Sequence, residues 1–415
     1  MVNNTVILDN GASTLKVNTV EYESPRIIPN AIIRGRTDRR NYIGDQIDQC
    51  TDFSSLYYRL PFERGFLTNW DVERPVWNRL FSNVLQIDPK DSRLLITEPC
   101  FNLKNIQEAY DQIIFEEYEF ASCYRTIAPE LCTFNDLALL FGDRPGSIPD
   151  CSLIVDSGYS FTHIVPFFKG RPVSKAIRRI NVGGKLLTNQ LKETVSFRYY
   201  DMMEETSIIN QVKEECCYVS QDVFGDLDIC KKPYQQNTII QEYVLPDYIN
   251  TTKGHIRSKQ EKSSGGGGGQ RHQKGQENTE QILTMNNERF MIPEILMHPS
   301  DIGIQQAGLA EAITQSVNAC EPETHGLFYS NIVLVGGNTL FEGYRERIIH
   351  DLQMMVPSEY DVRVSQPPSP TEYAWQGGQR FVELSGKSDL QKKFVQRKEY
   401  FEYGSEICRH KFGSL

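Results

Sequence analysis

An echo within the chain restricts the fold more than any other feature. Residues 6–17 read VILDNGASTLKV, and residues 153–165 read LIVDSGYSFTHIV. Each stretch is an apolar run, an aspartate, a small polar residue, a glycine, a few turn residues and a returning run. Apolar runs broken by an Asp-x-Gly turn read as β-hairpins. Asp9 and Asp156 stand 147 positions apart, the spacing of domains and not of a short solenoid repeat. The chain has 415 residues, more than one ordinary core organises, so two duplicated lobes are expected. A single Asp-x-Gly turn is most often a plain hairpin. Two of them face to face can hold a polyphosphate, with both carboxylates reaching a divalent cation through water. Tyr159, directly after the second glycine, is bulky for such a loop.

Two further segments place paired glycines after an apolar run. SNIVLVGGNTLFEG (330–343) carries Gly336-Gly337, and INVGGKLLTNQLKE (180–193) carries Gly183-Gly184. Paired glycines let backbone approach a ligand closely. In open α/β sheets, strand-to-helix turns of this kind lie where ligands bind. Either segment alone is equally compatible with a turn that holds nothing. Residues 204–220 predict an amphipathic helix with Ile208, Ile209, Val212, Cys216 and Cys217 on one face. Lys213 and Glu214 fall on another face, where charged residues are usually solvated.

Several classes are excluded. No run of about eighteen apolar residues occurs, so no membrane-spanning helix is expected. The opening MVNNTVILDNG lacks the basic and long apolar segments of a secretory signal. Ten cysteines without a C-x-x-C pair fit free thiols in a reducing compartment. The adjacent Cys216 and Cys217 cannot supply a four-ligand cage. A net charge of −10 makes the chain a poor nucleic-acid binder on its own, although a local patch stays open.

The two turns belong to a longer series of blocks. YIGDQI (42–47), RGFLTNWDVERPVWNRLF (64–81), LLITEPCFN (94–102), NERFMIPEILMHPSDIG (287–303), VLVGGNTLFEG (333–343) and QPPSPTEYAWQGG (366–378) follow in order. Together they resemble the actin superfamily over nearly the whole chain. IIFEEYEF (113–120) and LLTNQLKETVSFRYYDMMEET (186–206) resemble one branch of it, actin-related protein 6. Members of that branch are nuclear subunits of SWR/SRCAP-type chromatin remodellers. These machines exchange a nucleosomal histone for the Z variant of histone two-A.

The resemblance implies an α/β, actin-like fold. Two duplicated ribonuclease-H-like lobes would enclose a nucleotide cleft, each with a smaller subdomain. Residues 1–150 would form the first lobe, with 370–415 packing back onto it, and 151–369 the second. The implied ligand is ATP or ADP, with or without magnesium, held as a structural group. Asp9, Asn10, Gly11, Ala12, Ser13 and Lys16 match the first phosphate loop, Ala12 standing where actin has a serine. Lys16 would pair with phosphate charge. Asp156, Ser157 and Gly158 match the second loop, but Tyr159 replaces an aspartate and Ser160 a glycine. Gly184, Lys213 and Glu214 match positions around base and ribose. Gly336, Gly337 and Phe341 match the adenosine side, with Phe341 available to stack on the base. Thr371 stands where actin has a basic residue. His163 matches the histidine near the attacking water, and a hydrogen-bonded strand histidine is the plainer reading.

The departures from actin bear on turnover and partners. Hydrolysis needs a water in line with the γ-phosphate and metal to neutralise charge. Actin's water-orienting glutamine aligns with Ala128, whose methyl cannot hold water. Tyr159 removes a carboxylate from the metal shell. No catalytic residue and no protein-held metal are therefore expected. The implied role is a scaffold that contacts other remodeller subunits and, through the complex, the nucleosome. The expected location is the nucleus, with the cytoplasm allowed as well. Only TDRRN (37–41) stands in place of actin's mobile loop, and Asp301 replaces a plug aromatic, so filaments are not expected. Residues 247–281, with five consecutive glycines, are expected to be one flexible tract, either a spacer or a basic contact segment. Two other classes stay open: a filament-forming cytoskeletal ATPase, and a sugar-kinase or Hsp70-type ATPase. The last would need a carboxylate where Tyr159-Ser160 offers none.

Overall fold

The structure, a computed structural model, describes residues 4–36, 39–50, 53, 56–248, 251–257 and 280–413, leaving aside the side chains of 387 and 388. In the first of two large sheets, β1 (Asn4–Asn10), β2 (Thr14–Thr19) and β3 (Arg26–Pro29) form an antiparallel meander. β4 (Ser92–Glu98) pairs parallel with β1, β5 (Ser122–Ile127) parallel with β4, and Val395–Gln396 closes the edge beside β5. In the second sheet, β6 (Cys151–Ser157) and β7 (Thr162–Phe168) form an antiparallel hairpin, and β8 (Ile332–Val335) runs parallel to β6. The strand order there is Arg171–Pro172, β7, β6, β8, Val364–Ser365, with Arg178–Ile180 also pairing β7.

The echo in the sequence is an echo in register. Asp9 faces Lys16 across β1–β2, and Asp156 faces His163 across β6–β7. β1 and β6 are buried along nearly their whole length because layers cover both faces, which is why they read as continuous apolar runs. Helices α1 (Trp70–Arg79), α2 (Lys104–Gln112), α3 (Gly184–Arg198), α4 (Thr206–Cys216) and α5 (Tyr373–Leu384) bear residues that reach or back these hairpins. Trp375 on α5 is fully buried, and its Nε1 donates to the Ile7 carbonyl at 3.1 Å. This anchors the C-terminal segment on β1. Burying an aromatic of that size stabilises by roughly 2–3 kcal/mol.

Two expectations need correction. Ile208, Ile209, Val212 and Cys216 line the buried face of α4 as predicted, and Cys217 is buried just past its end. Lys213, however, is only 4 % exposed and not solvated. Oxygens from α3 and α4 satisfy its ammonium, a long-range compensation that helical periodicity does not encode. The second correction concerns 247–281. Residues 249–250 and 258–279 lie outside the described residues. His255–Ile256, within the tract expected to be flexible throughout, forms a strand on the edge of Gln241–Val244, whose other edge pairs with Ile282–Met285. A two-residue strand has no periodicity to read.

The short connection at 37–41 joins a β-hairpin of Ile32–Arg34 with Asn41–Ile43, and residues 37 and 38 lie outside the described residues. All ten cysteines are free, and nine are buried. Among the described residues no helix is long and apolar enough to cross a membrane.

Candidate functional site

The ends of β1, β6 and β8 converge on a cleft of about 510 Å³. Asp9, Asn10, Gly11, Ala12, Ser13, Lys16, Asp156, Gly158, Gly184, Lys213, Glu214, Gly336, Gly337 and Phe341 all line it. Ala128, Tyr159, His163 and Thr371 line it too. Ser157 does not. Its hydroxyl lies 2.9 Å from Thr162 Oγ1 and accepts from Asn338 Nδ2 at 3.2 Å, so it supports the turn from behind and does not face the cleft.

The first turn is held by its neighbours in the sheet. Thr97 Oγ1, at the end of β4, donates to Asp9 Oδ1 at 2.8 Å and accepts from the Asn10 backbone N–H at 2.9 Å. Lys16 Nζ lies 4.0 Å from Asp9 Oδ2. The alternation of β2 explains this pairing: Lys16 is register-opposed to Asp9, so both side chains emerge on one face.

The second turn is held by a helix. The Gly184 and Lys185 N–H groups, at the start of α3, donate to the carbonyls of Gly158 at 3.0 Å and Tyr159 at 2.9 Å. Asn338 Nδ2 adds a 2.8 Å bond to the Gly158 carbonyl. Gly336 has φ +94°, and a Cβ there would overlap the Ser157 carbonyl oxygen. Only glycine lets the β8 turn lie this close to β6. Lys213 Nζ donates to Thr188 Oγ1 and Asn210 Oδ1, each at 2.9 Å, and to the Gly184 carbonyl at 3.3 Å. Burial holds its pKa below the usual lysine range. Glu214 is exposed and accepts from Asn210 Nδ2 at 2.7 Å.

Burial and the charge of Asp9 push Asp156 up to about 7, against the opposing pull of Lys16. Burial, then Arg179, lowers His163 to about 4, so it is a neutral imidazole at pH 7. Its buried Nε2 has no hydrogen-bond partner. Burial, then Tyr58, raises Tyr159 to about 12. Phe161, beyond Tyr159, reaches the opposite wall. A Cβ on Gly65, where φ is +76°, would overlap its ring, and Phe66 meets it edge-on with centroids 6.4 Å apart.

These residues fit a nucleotide chemically. The volume is in the range of ligand clefts. Lys16 supplies a cation, Phe341 and Leu340 supply apolar lining, and the Asp9 and Asp156 carboxylates suit a hydrated divalent cation. The supporting residues that sequence reasoning missed are Thr97, Asn338, Thr188 and Asn210. All lie inside segments that the sequence singles out, but the bonds of Thr97, Asn338 and Thr188 to Asp9, Gly158 and Lys213 join segments far apart in the chain.

The profile of the family described as Actin matches residues 2–413. An actin-like protein ARP6 of Cryptococcus neoformans is 45% identical over 421 residues, covering 99% of this chain and 84% of that one. Actin-related protein 6 of Drosophila melanogaster is 38% identical over 406 residues, covering 97% of this chain and 98% of its own. An actin-like protein ARP6 of Yarrowia lipolytica is 40% identical over 408 residues, covering 98% and 97%. With paired turns on one cleft and matches along its whole length, this chain belongs to the actin family, in the branch named actin-related protein 6.

Proposed function

We propose that the chain is a non-catalytic subunit of a SWR/SRCAP-type chromatin remodeller, retaining an adenine nucleotide as a structural ligand. In this reading it works in the nucleus as a scaffold during exchange of nucleosomal histone for the Z variant of histone two-A. The observation that carries the reading is the contrast inside the cleft: both Asp-x-Gly turns and Lys16 line it, and Ala128 and Tyr159 line the same space. A methyl group has no donor or acceptor with which to orient water, and a phenol held protonated is a poor metal ligand. Lys16 and the backbone of the first turn would hold phosphate charge. Asp9 and Asp156 would share the magnesium hydration shell, which supplies charge neutralisation when present. The names of the relatives support the branch, and the remodeller role follows from the resemblance of that branch.

Filament formation is not part of this function. Asp301, at the plug segment, is exposed in a 3₁₀ turn, Pro299–Ile302. Its carboxylate would be costly to bury at a filament contact. One preparation tests the proposal. The tagged chain is recovered from nuclear extract, its partners are identified by mass spectrometry, and adenine nucleotide is measured after denaturation. Remodeller subunits and bound ATP or ADP with background turnover are expected. Recovery as sedimenting filaments that hydrolyse ATP would reverse the reading.

A further inference from the structure

Behind the first turn lies a buried polar cluster that reaches the cleft only through Asn10. Glu73 on α1 is 0 % exposed, as are Asn30 and Trp77, and Asn10 is nearly so. Glu73 is absent from the cleft lining. Asn30 Nδ2 donates to the Gly11 carbonyl at 3.1 Å and faces Glu73 Oε1 at 3.5 Å. Asn10 Nδ2 donates to the Tyr110 hydroxyl at 3.0 Å. Four atoms of the cluster are left without a partner: Asn10 Oδ1, Asn30 Oδ1, Glu73 Oε2 and Trp77 Nε1. Three of these are acceptors and only one is a donor, so the cluster is short of hydrogens. Among the described residues no lysine or arginine forms an ion pair with Glu73. A buried carboxylate with no cation and too few donors is strongly disfavoured. A proton on the carboxyl turns one surplus acceptor into a donor.

We propose that Glu73 is a positioning residue for the first turn: as an un-ionised acid it donates to an asparagine amide oxygen, and so fixes Asn10, Asn30 and, through Asn30, the Gly11 carbonyl. Loss of that proton releases the turn. The inference deepens the nucleotide reading but does not depend on it, because it concerns the turn's own order. The titration is consistent: burial raises Glu73 to about 8 against the opposing pull of the neighbouring Asn10, Asn30 and Trp77 side chains. The titratable groups packed nearby are the phenols of Tyr110 on α2 and of Tyr118, with Glu98 and Arg125 beyond Tyr110. Burial holds both phenols protonated above their usual range, so neither changes charge before Glu73. Because the folded value lies above the unfolded one, the contribution is full at low pH and lost as pH rises through about 8.

The test compares the full chain with Glu73→Gln, which keeps shape and a donor but cannot ionise. Backbone hydrogen exchange across residues 11–15 is measured for both proteins at pH 7 and pH 9. Equal protection is expected at pH 7. At pH 9 the wild type should exchange about tenfold faster than the variant, the ratio expected one pH unit above the transition. Infrared difference spectra at pH 7 should show a protonated-carboxyl band in the wild type that is missing from the variant. Equal exchange at pH 9, or no such band, overturns the proposal. ADP affinity measured alongside should fall above pH 8 in the wild type only. If neither protein binds ADP, the nucleotide reading fails while exchange and infrared still decide the role of Glu73.

Discussion

The two Asp-x-Gly turns share a backbone and differ in charge. In each, the aspartate is register-paired with the residue seven positions on, but that residue is Lys16 in the first turn and His163 in the second. Lys16 stands by Asp9 as a cation. His163 is a neutral imidazole, and Asp156 titrates near 7. The carbonyls of the second turn are taken by α3 and Asn338, and its tip crosses to Gly65 through Phe161. The first turn is braced by Thr97, Asn30 and Tyr110. The same scaffold occurs twice. The first copy carries a lysine beside its aspartate, and the second ties the walls of the cleft together.

The largest effect should come from breaking the frame. Gly336→Ala forces a Cβ against the Ser157 carbonyl at a positive φ. It should destabilise the protein by about 2–4 kcal/mol in chemical denaturation. Gly337→Ala, one residue on, meets only Thr371 Cγ2 at 3.9 Å and should stay within about 1 kcal/mol of wild type. Similar losses at both positions would mean that the β8 turn is not locked against β6.

The anion side should break next. Lys16→Met should weaken ADP binding by about ten- to a hundredfold in calorimetry, the range for losing one charge-assisted contact. His163→Gln, at the equivalent position of the other turn, should change affinity much less. Equal losses would erase the proposed division between the turns.

A pH experiment sharpens the contrast further. The carboxyl of Asp156 is raised from 3.8 to about 7, so its contribution to stability is full at low pH and declines as pH rises to about 7. His163 is lowered from 6.5 to about 4, so its contribution is full above 6.5 and declines as pH falls toward 4. The two slopes oppose each other in the wild type. Relative to the wild type, Asp156→Asn should tilt stability upward with pH between 4 and 6.5, and His163→Gln should tilt it downward, each by on the order of 1 kcal/mol. Tilts of the same sign would refute the assignment.

The legible parts of this molecule were the local ones. Apolar runs closed by Asp-x-Gly marked both hairpins, and the recurrence at domain spacing marked the duplicated turns. The Gly336-Gly337 pair marked the third wall of the cleft. What stayed hidden is long-range. Thr97 reaches Asp9 from 88 positions away and Asn338 reaches Ser157 from 181, and the blocks that contain them do not encode those partners. Lys213 looked solvated because its compensation comes from Thr188 and Gly184 on another helix. Ser157 was chosen for its place in a motif, yet the strand's alternation turns its hydroxyl away from the cleft. A strand of two residues at 255–256 carries no signal at all.

The smallest effect concerns turnover. Tyr159→Asp returns a carboxylate to the second turn, and Ala128→Gln returns an amide to the lining of the same cleft. Each change alone should leave ATP turnover at background. A metal shell without an oriented water has no nucleophile in line, and an oriented water without charge neutralisation faces an unrelieved phosphate. Groups that act as a unit show strongly non-additive kinetics. Only the double variant is therefore expected to rise above background, in single-turnover assays with magnesium and ATP. A third acid beside Asp9 and Asp156 should also make ATP binding by Tyr159→Asp more dependent on magnesium, because like charges at close range favour a bound cation. If Tyr159→Asp alone restores turnover, water orientation at Ala128 is not limiting. The second turn would then have lost its catalytic part through one side chain and not through a change of role.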